Sequence, residues 1–363
     1  MTWDHPRGYR VLDRLDLGIA WDRQSLEDFE SRPVREFAAT HQLAVVDHPN
    51  LGTCIADDAL QPLDTLFAEP ELAALRDRCA GPSFDSYTLD GRQWALPLDT
   101  ATQVAAYRPD LLPAGEVPPT WDQVLTFAHH HRTVLCLGGA HAFLMFAAVC
   151  ASLGSPWPEQ EDRVSMDSVE ALTIMAELLA TGDPEEADHN PIGILERMAR
   201  DPDAAVYCPL LYGYITYQEA AGGRRALQVA DAPRGPAGIG SVLGGTGLAL
   251  TSSAPTDTEH GRATLRQAIS TLLSDEVQLD LYDELGGQSS LRAAWESDRA
   301  HGFYSRTRTT LDHAWVRPRN PGYPHFQHRA SEVIRQGLME RQPPELILAG
   351  IVATRSAAAK ERV

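Results

Sequence analysis

Hydrophobic period and turn residues divide this chain into an α/β unit, a hairpin, a crossing strand, a second α/β unit, a return strand and a run of helices. A chain that leaves one lobe and later returns builds two lobes joined by several crossings. The groove between such lobes is the natural place for a ligand. The crossing is read from residues 87–97, where Asp90-Gly91 supplies a tight turn, followed by a connecting strand over residues 102–107. Before it come strands at 1–3, 17–21 and 43–46, a helical stretch at 25–42 broken near Pro33, and another at 62–79. After it, Thr120 caps a helix starting at Trp121, residues 133–137 read as a strand, and 141–153 read as a buried helix. Helices follow at 166–180 and 191–200, the latter opened by Pro191, with β-like runs at 204–217 and 226–230. From Gly261 onward the pattern is almost entirely helical.

The triplet Asp-His-Pro occurs twice, at Asp4-His5-Pro6 and Asp47-His48-Pro49, each directly after a strand-like run. At carboxyl ends of parallel strands the two pairs would open on one cleft edge. His5 and His48 exchange protons near neutral pH, and Asp4 or Asp47 would orient an imidazole or raise its pKa. Simple punctuation of strand ends by Asp and Pro is the structural alternative. A metal reading has no supporting ligand spacing, and no metal or other cofactor is expected. No GK[ST] follows Gly244-Gly245-Thr246-Gly247, so that run is not a phosphate loop. His129-His130-His131 reads as a solvated helix end.

The net charge of −19 argues against nucleic acid or an anionic membrane as the main partner. At 363 residues the chain is long enough for two or three domains. No stretch has the length of a membrane-crossing helix, so no membrane insertion is expected. Cys54, Cys79, Cys136, Cys150 and Cys208 form no CxxC pair and read as reduced, buried thiols. No cationic start and apolar run follow Met1, so the expectation is a cytoplasmic protein.

The hairpin at 87–97 with Leu98-Asp99, the run 103–112 and Pro119-Thr120-Trp121-Asp122-Gln123-Val124 together resemble the extracellular solute-binding protein family 1, the sugar-binding type of ABC importers. Gly244–Leu250 resembles that family's return strand, residues 268–285 the helices after it, and Gly286-Gly287-Gln288-Ser289-Ser290 the loop that ends them. The resemblance implies an α/β, two-lobe, type II periplasmic-binding-protein-like fold with an interlobe cleft and a helical C-terminal region. Lobe 1 is expected at 1–106 with a return segment at 244–300, lobe 2 at 107–243, and C-terminal helices at 301–363 packing on lobe 2 and the hinge.

The ligand-binding residues expected on that scaffold are Trp3, His5, Arg7, Asp47, His48, Asp99, Gln103, Tyr212, Tyr214, Gly245, Thr246, Gln288, Arg317 and Arg319. Arginine forks suit carboxylate or phosphate, and tyrosine faces suit sugars. The expected ligand is therefore a small polar or anionic molecule, such as an organic acid, an acyl thioester or a sugar-like compound, with an ABC permease as partner only if the chain is exported. The alternative is a cofactor-independent biosynthetic enzyme on the same scaffold, in which His5, His48, Asp4 and Asp47 perform acid–base isomerisation, dehydration or cyclisation.

Overall fold

The computed structural model describes residues 1–157, 165–182 and 184–360. In chain order it forms strand β1 (Thr2–Trp3), helix α1 (Pro6–Arg14), β2 (Arg23–Gln24), β3 (Leu43–Val46), α2 (Leu51–Ala56), β4 (Leu60–Gln61) and the hairpin β5–β6 (Thr88–Leu89, Arg92–Gln93). Then follow β7 (Ala95–Tyr107), α3 (Trp121–Ala128), α4 (His141–Leu153), α5 (Met166–Thr181), α6 (Pro191–Arg200), β8 (Tyr207–Tyr212) and β9 (Gln228–Ala230). The path ends with β10 (Leu243–Thr251), α7 (Glu259–Leu272), α8 (Tyr323–Met339) and α9 (Pro344–Lys360). None of the described helices is long and apolar enough to cross a membrane.

Local chemistry accounts for most of these limits. Asp90 and Gly91 both take positive φ, 52° and 74°, the turn that joins two tightly paired strands. Thr120 accepts the amide of Gln123 at 3.4 Å and opens α3, and Asn190 accepts the amide of Gly193 at 2.9 Å ahead of Pro191 in α6. Helix α4 is apolar on every side, and its residues from His141 to Cys150 are all buried.

Two strand expectations fail. Residues 17–21 are not a strand; Gly18 sits at φ 64°, and the strand parallel to β1 is Arg23–Gln24. The stretch between β1 and β2 holds the nine-residue α1. Residues 133–137 send their amides to separate places, Val134 to the carbonyl of Tyr207 and Leu137 to that of Ala187, so no ladder forms. Gly244 and Gly247 lie inside β10.

The chain divides into two compact units. The first comprises Met1–Ala101, Leu243–Ser305 and Val316–Pro324. Its β3 pairs antiparallel with β10, Val46 opposite Gly247 and Leu43 opposite Leu250, and β10 lies between β3 and β7. Val45 donates its amide to the Met1 carbonyl at 3.0 Å, which sets the first residues beside β3. Ala44, Val46, Leu51, Phe37, Trp94 and Ala249 share the core beneath.

The second unit comprises Thr102–Val242, Arg306–Trp315 and His325–Val363. Here the last part of β7 pairs antiparallel with β8, Gln103 opposite Tyr212 and Tyr107 opposite Tyr207, with a register shift between Val104 and Ala106. Helix α4 fills its centre, where Phe146 meets Trp157 at 5.3 Å and Phe143 meets Phe326 at 5.4 Å. Fully burying each such ring contributes about 1.5–3 kcal/mol.

Candidate functional site

The residues singled out in the sequence fall into two sets, one in each unit. In the first unit the Asp4-His5-Pro6 triplet is a helix start. His5 is the N-cap of α1, its Nδ1 accepting the Arg7 amide at 3.2 Å, and Pro6 occupies the first helical position. The His5 ring lies flat on Trp3, centroids 5.0 Å apart and planes 8° from parallel. Asp4 does not join it: its carboxylate is 61% exposed and sits 3.6 Å from Arg23.

The cap aims Arg7 inward. Its Nε donates to Asp99 Oδ2 at 2.7 Å, with both side chains at most 5% exposed. Thr246 donates to the other oxygen of Asp99 at 3.3 Å. Gly245, φ 104°, has no room for a Cβ, which would stand 2.5 Å from the Asp99 carbonyl. Gln288 donates its Nε2 to the Thr100 carbonyl at 2.8 Å. The Gln288 Oε1 and Thr100 Oγ1 atoms are buried and meet no hydrogen-bond partner among the described residues. Trp3, His5, Arg7, Asp99, Gly245, Thr246 and Gln288 thus share this unit, and Arg7, Asp99 and Thr246 touch.

A support that sequence reading missed holds Asp99 in place. A π-helical turn, Glu276–Leu281, presents Gln278, whose Nε2 donates to the Leu98 carbonyl at 3.1 Å. Its Oε1 accepts from the Ser290 amide at 2.9 Å, and Tyr282 also donates to the Leu98 carbonyl at 3.0 Å. No local signal marks Gln278, because its partners lie on three separate segments.

The second triplet differs from the first. Asp47 precedes a single 3-10 turn, His48–Asn50, and makes no cap bond. It accepts instead from Arg317 Nη2, 2.8 Å from each oxygen. Burial pushes the Asp47 carboxyl up, but Arg317 and His48 outweigh it and the net shift is downward. His48 is fully buried, with Nδ1 a long 3.3 Å from Asp47 and Nε2 without a partner among the described residues. Burial, then the Arg317 charge, lowers its pKa to about 4, so the imidazole is neutral at pH 7. Arg319 is not a free fork either: its Nη1 donates to the carbonyls of Asp85, Ser86 and Thr88.

This geometry gives the acid–base alternative no support. One aspartate is at the surface with Arg23 and the other is held by Arg317. One imidazole nitrogen caps a helix, and the other imidazole is too weak a base to take protons near neutrality. Among the described residues no group of three or more His, Cys, Asp or Glu side chains is placed to hold a metal ion.

In the second unit Gln103 and Tyr212 face each other across the β7–β8 ladder. Gln103 is 1% exposed, and its Oε1 has no partner among the described residues. Tyr212 meets His141 edge-on, ring centroids 5.8 Å apart. Tyr214 is buried just before the turn Ile215–Tyr217. The other tyrosines of this run serve packing: Tyr207 lies against Phe127, and Tyr217 donates to Glu196 at 3.1 Å. His141 was not anticipated; the Gly138-Gly139 pair just before a buried helix was the available signal.

The family of bacterial extracellular solute-binding proteins matches residues 34–297, well over half of the chain. Among solved structures, the GacH receptor of Streptomyces glaucescens, determined unliganded and with acarbose, matches with TM-score 0.77 at 16% identity, covering 99% of this chain and 97% of that one. Maltose-bound MalE3 of T. maritima matches with TM-score 0.74 at 17% identity over 92% and 89%. A ribitol-bound ABC-transporter solute-binding protein of Agrobacterium radiobacter K84 matches with TM-score 0.72 at 18% identity over 92% and 89%. No curated protein matches the chain. These likenesses establish the two-lobe type II periplasmic-binding fold. The extracellular character of the matching family overturns the cytoplasmic expectation, which rested on the first residues alone. This chain belongs to the bacterial extracellular solute-binding proteins.

Proposed function

We propose that the chain is the solute receptor of an ABC importer and that its ligand is a neutral, polyhydroxylated molecule of the sugar or polyol class. The observation that carries this is the state of the charges in the first unit. Of the three arginines that made an organic acid or acyl thioester attractive, Arg7 and Arg317 are each in a buried ion pair with a carboxylate, Asp99 and Asp47, and Arg319 donates to three backbone carbonyls. A buried pair presents no net charge to an anion, and breaking one to bind a ligand strands its partner at about 3–5 kcal/mol. Gln288 Oε1 and Thr100 Oγ1 are neutral buried atoms that meet no partner among the described residues, and hydroxyl groups serve them. The acarbose, maltose and ribitol named for structures of the same fold point the same way.

The test is a melting-temperature and calorimetry panel at pH 7 with maltose, ribitol, D-mannitol and D-tagatose against citrate, glucose 6-phosphate and acetyl-CoA. At least one neutral compound should raise the melting temperature and bind with measurable heat. Binding confined to the anionic compounds would overturn the reading.

A further inference from the structure

We infer that Gln327, together with the opening turn of α4, forms a specificity-determining point on the second unit that takes a ligand hydroxyl and disfavours ammonium. This rests on the receptor reading above and names a recognition element within it. Helix α4 begins at His141 after Gly138-Gly139-Ala140, and its N-cap, Ala140, has no side-chain oxygen to offer. Ser331 of α8 supplies one substitute: its Oγ accepts the Phe143 amide at 3.2 Å and donates to the Gly139 carbonyl at 2.6 Å. Gln327 lies one turn before Ser331, on the same face of α8, and its neighbour Phe326 packs on Phe143. Gln327 is therefore set against the opening turn of α4.

Gln327 is 7% exposed, and its Oε1 is buried with no hydrogen-bond partner among the described residues. Leaving such an acceptor unmet is unfavourable, a cost that a glutamine with only a structural role would avoid by bonding. An amide oxygen needs a donor. A helix N-terminus, carrying partial positive charge, favours an acceptor and disfavours a cation. A hydroxyl is both donor and acceptor and is neutral. An ammonium group opposes the helix dipole. Tyr212 meets the His141 ring, and Gln103, opposite Tyr212 across the β7–β8 ladder, carries a second buried Oε1 that meets no partner among the described residues. Gln103, Tyr212, His141 and Gln327 all belong to the second unit.

The experiment compares the wild type with Gln327→Leu and Gln327→Glu, without ligand and with whichever of maltose, ribitol, D-mannitol or D-tagatose binds best. Without ligand, Gln327→Leu should melt at or above the wild-type temperature, because the oxygen it removes is unmet. A clear drop would assign Gln327 a structural bond and overturn the inference. With ligand, Gln327→Leu should weaken affinity about 10-fold or more, whereas Gln327→Glu, which keeps the acceptor, should stay within about 3-fold. Equal affinity for all three proteins would overturn the inference while leaving the receptor reading intact. Binding by the wild type of anionic compounds alone would overturn both.

Discussion

Arg317 Nη2 stands 2.8 Å from each carboxylate oxygen of Asp47, a buried pair made between residues 270 positions apart. It ties the segment Val316–Pro324 to the end of β3 within the first unit. It also explains why the second Asp-His-Pro copy behaves unlike the first: its aspartate has an arginine, and its histidine is left neutral beside that pair.

Removing one member of this pair strands the other. Arg317→Met should destabilise the first unit by about 3–5 kcal/mol. Adding Asp47→Asn should recover most of that loss, because the orphaned charge is then gone. Urea unfolding of the two single variants and the double variant measures the coupling. Additive losses would show that the pair is not the source.

His48 makes stability depend on pH. Its folded pKa is about 4 against 6.5 for an ordinary imidazole, so the unfolded chain takes up the proton first as pH falls. Stability is full above pH 6.5 and declines toward pH 4, with about 2–3 kcal/mol lost at pH 4.5. The depressed Asp47 carboxyl adds a further loss below its ordinary value of 3.8. Urea midpoints at pH 7.5 and 4.5 should differ by less in His48→Gln than in the wild type.

Gly245 holds a position that only glycine fits. At φ 104°, with the Asp99 carbonyl 2.5 Å from any added Cβ, Gly245→Ala must push β10 away from β7. We expect a loss of about 2 kcal/mol or more, from strain and clash together. If Asp99 takes part in binding, ligand affinity falls as well. Thermal melts and calorimetry on the variant read both effects.

The segment Arg299–Asp312 contains three successive residues in the left-handed region, Ala300, His301 and Gly302, at φ 54°, 54° and 75°. Only the last suits that backbone. Ala300→Gly should relieve strain of about 1 kcal/mol, part of it offset by glycine's greater entropy when unfolded. The melting temperature should rise by about 1–3 °C. A decrease would mean that the left-handed turn is not the conformation in solution.

Where local chemistry decides, the sequence alone determined the outcome. Asp90-Gly91 turns the hairpin, Thr120 and Pro191 open their helices, and α4 is buried because every face of it is apolar. The order of elements determined the two-lobe class, since a chain that leaves a unit and returns must cross more than once. Which charges meet was decided only by tertiary structure. Arg7 and Asp99 are 92 residues apart, and Arg317 and Asp47 lie 270 apart; no period or spacing encodes such partners. Reading Arg7 and Arg317 as hooks for an anion took no account of such partners: a buried guanidinium takes the nearest buried carboxylate, and folding brings that carboxylate to it. Gln327 shows the converse. An unmet amide oxygen has no signature in the chain, because being unmet is a property of what surrounds it in space.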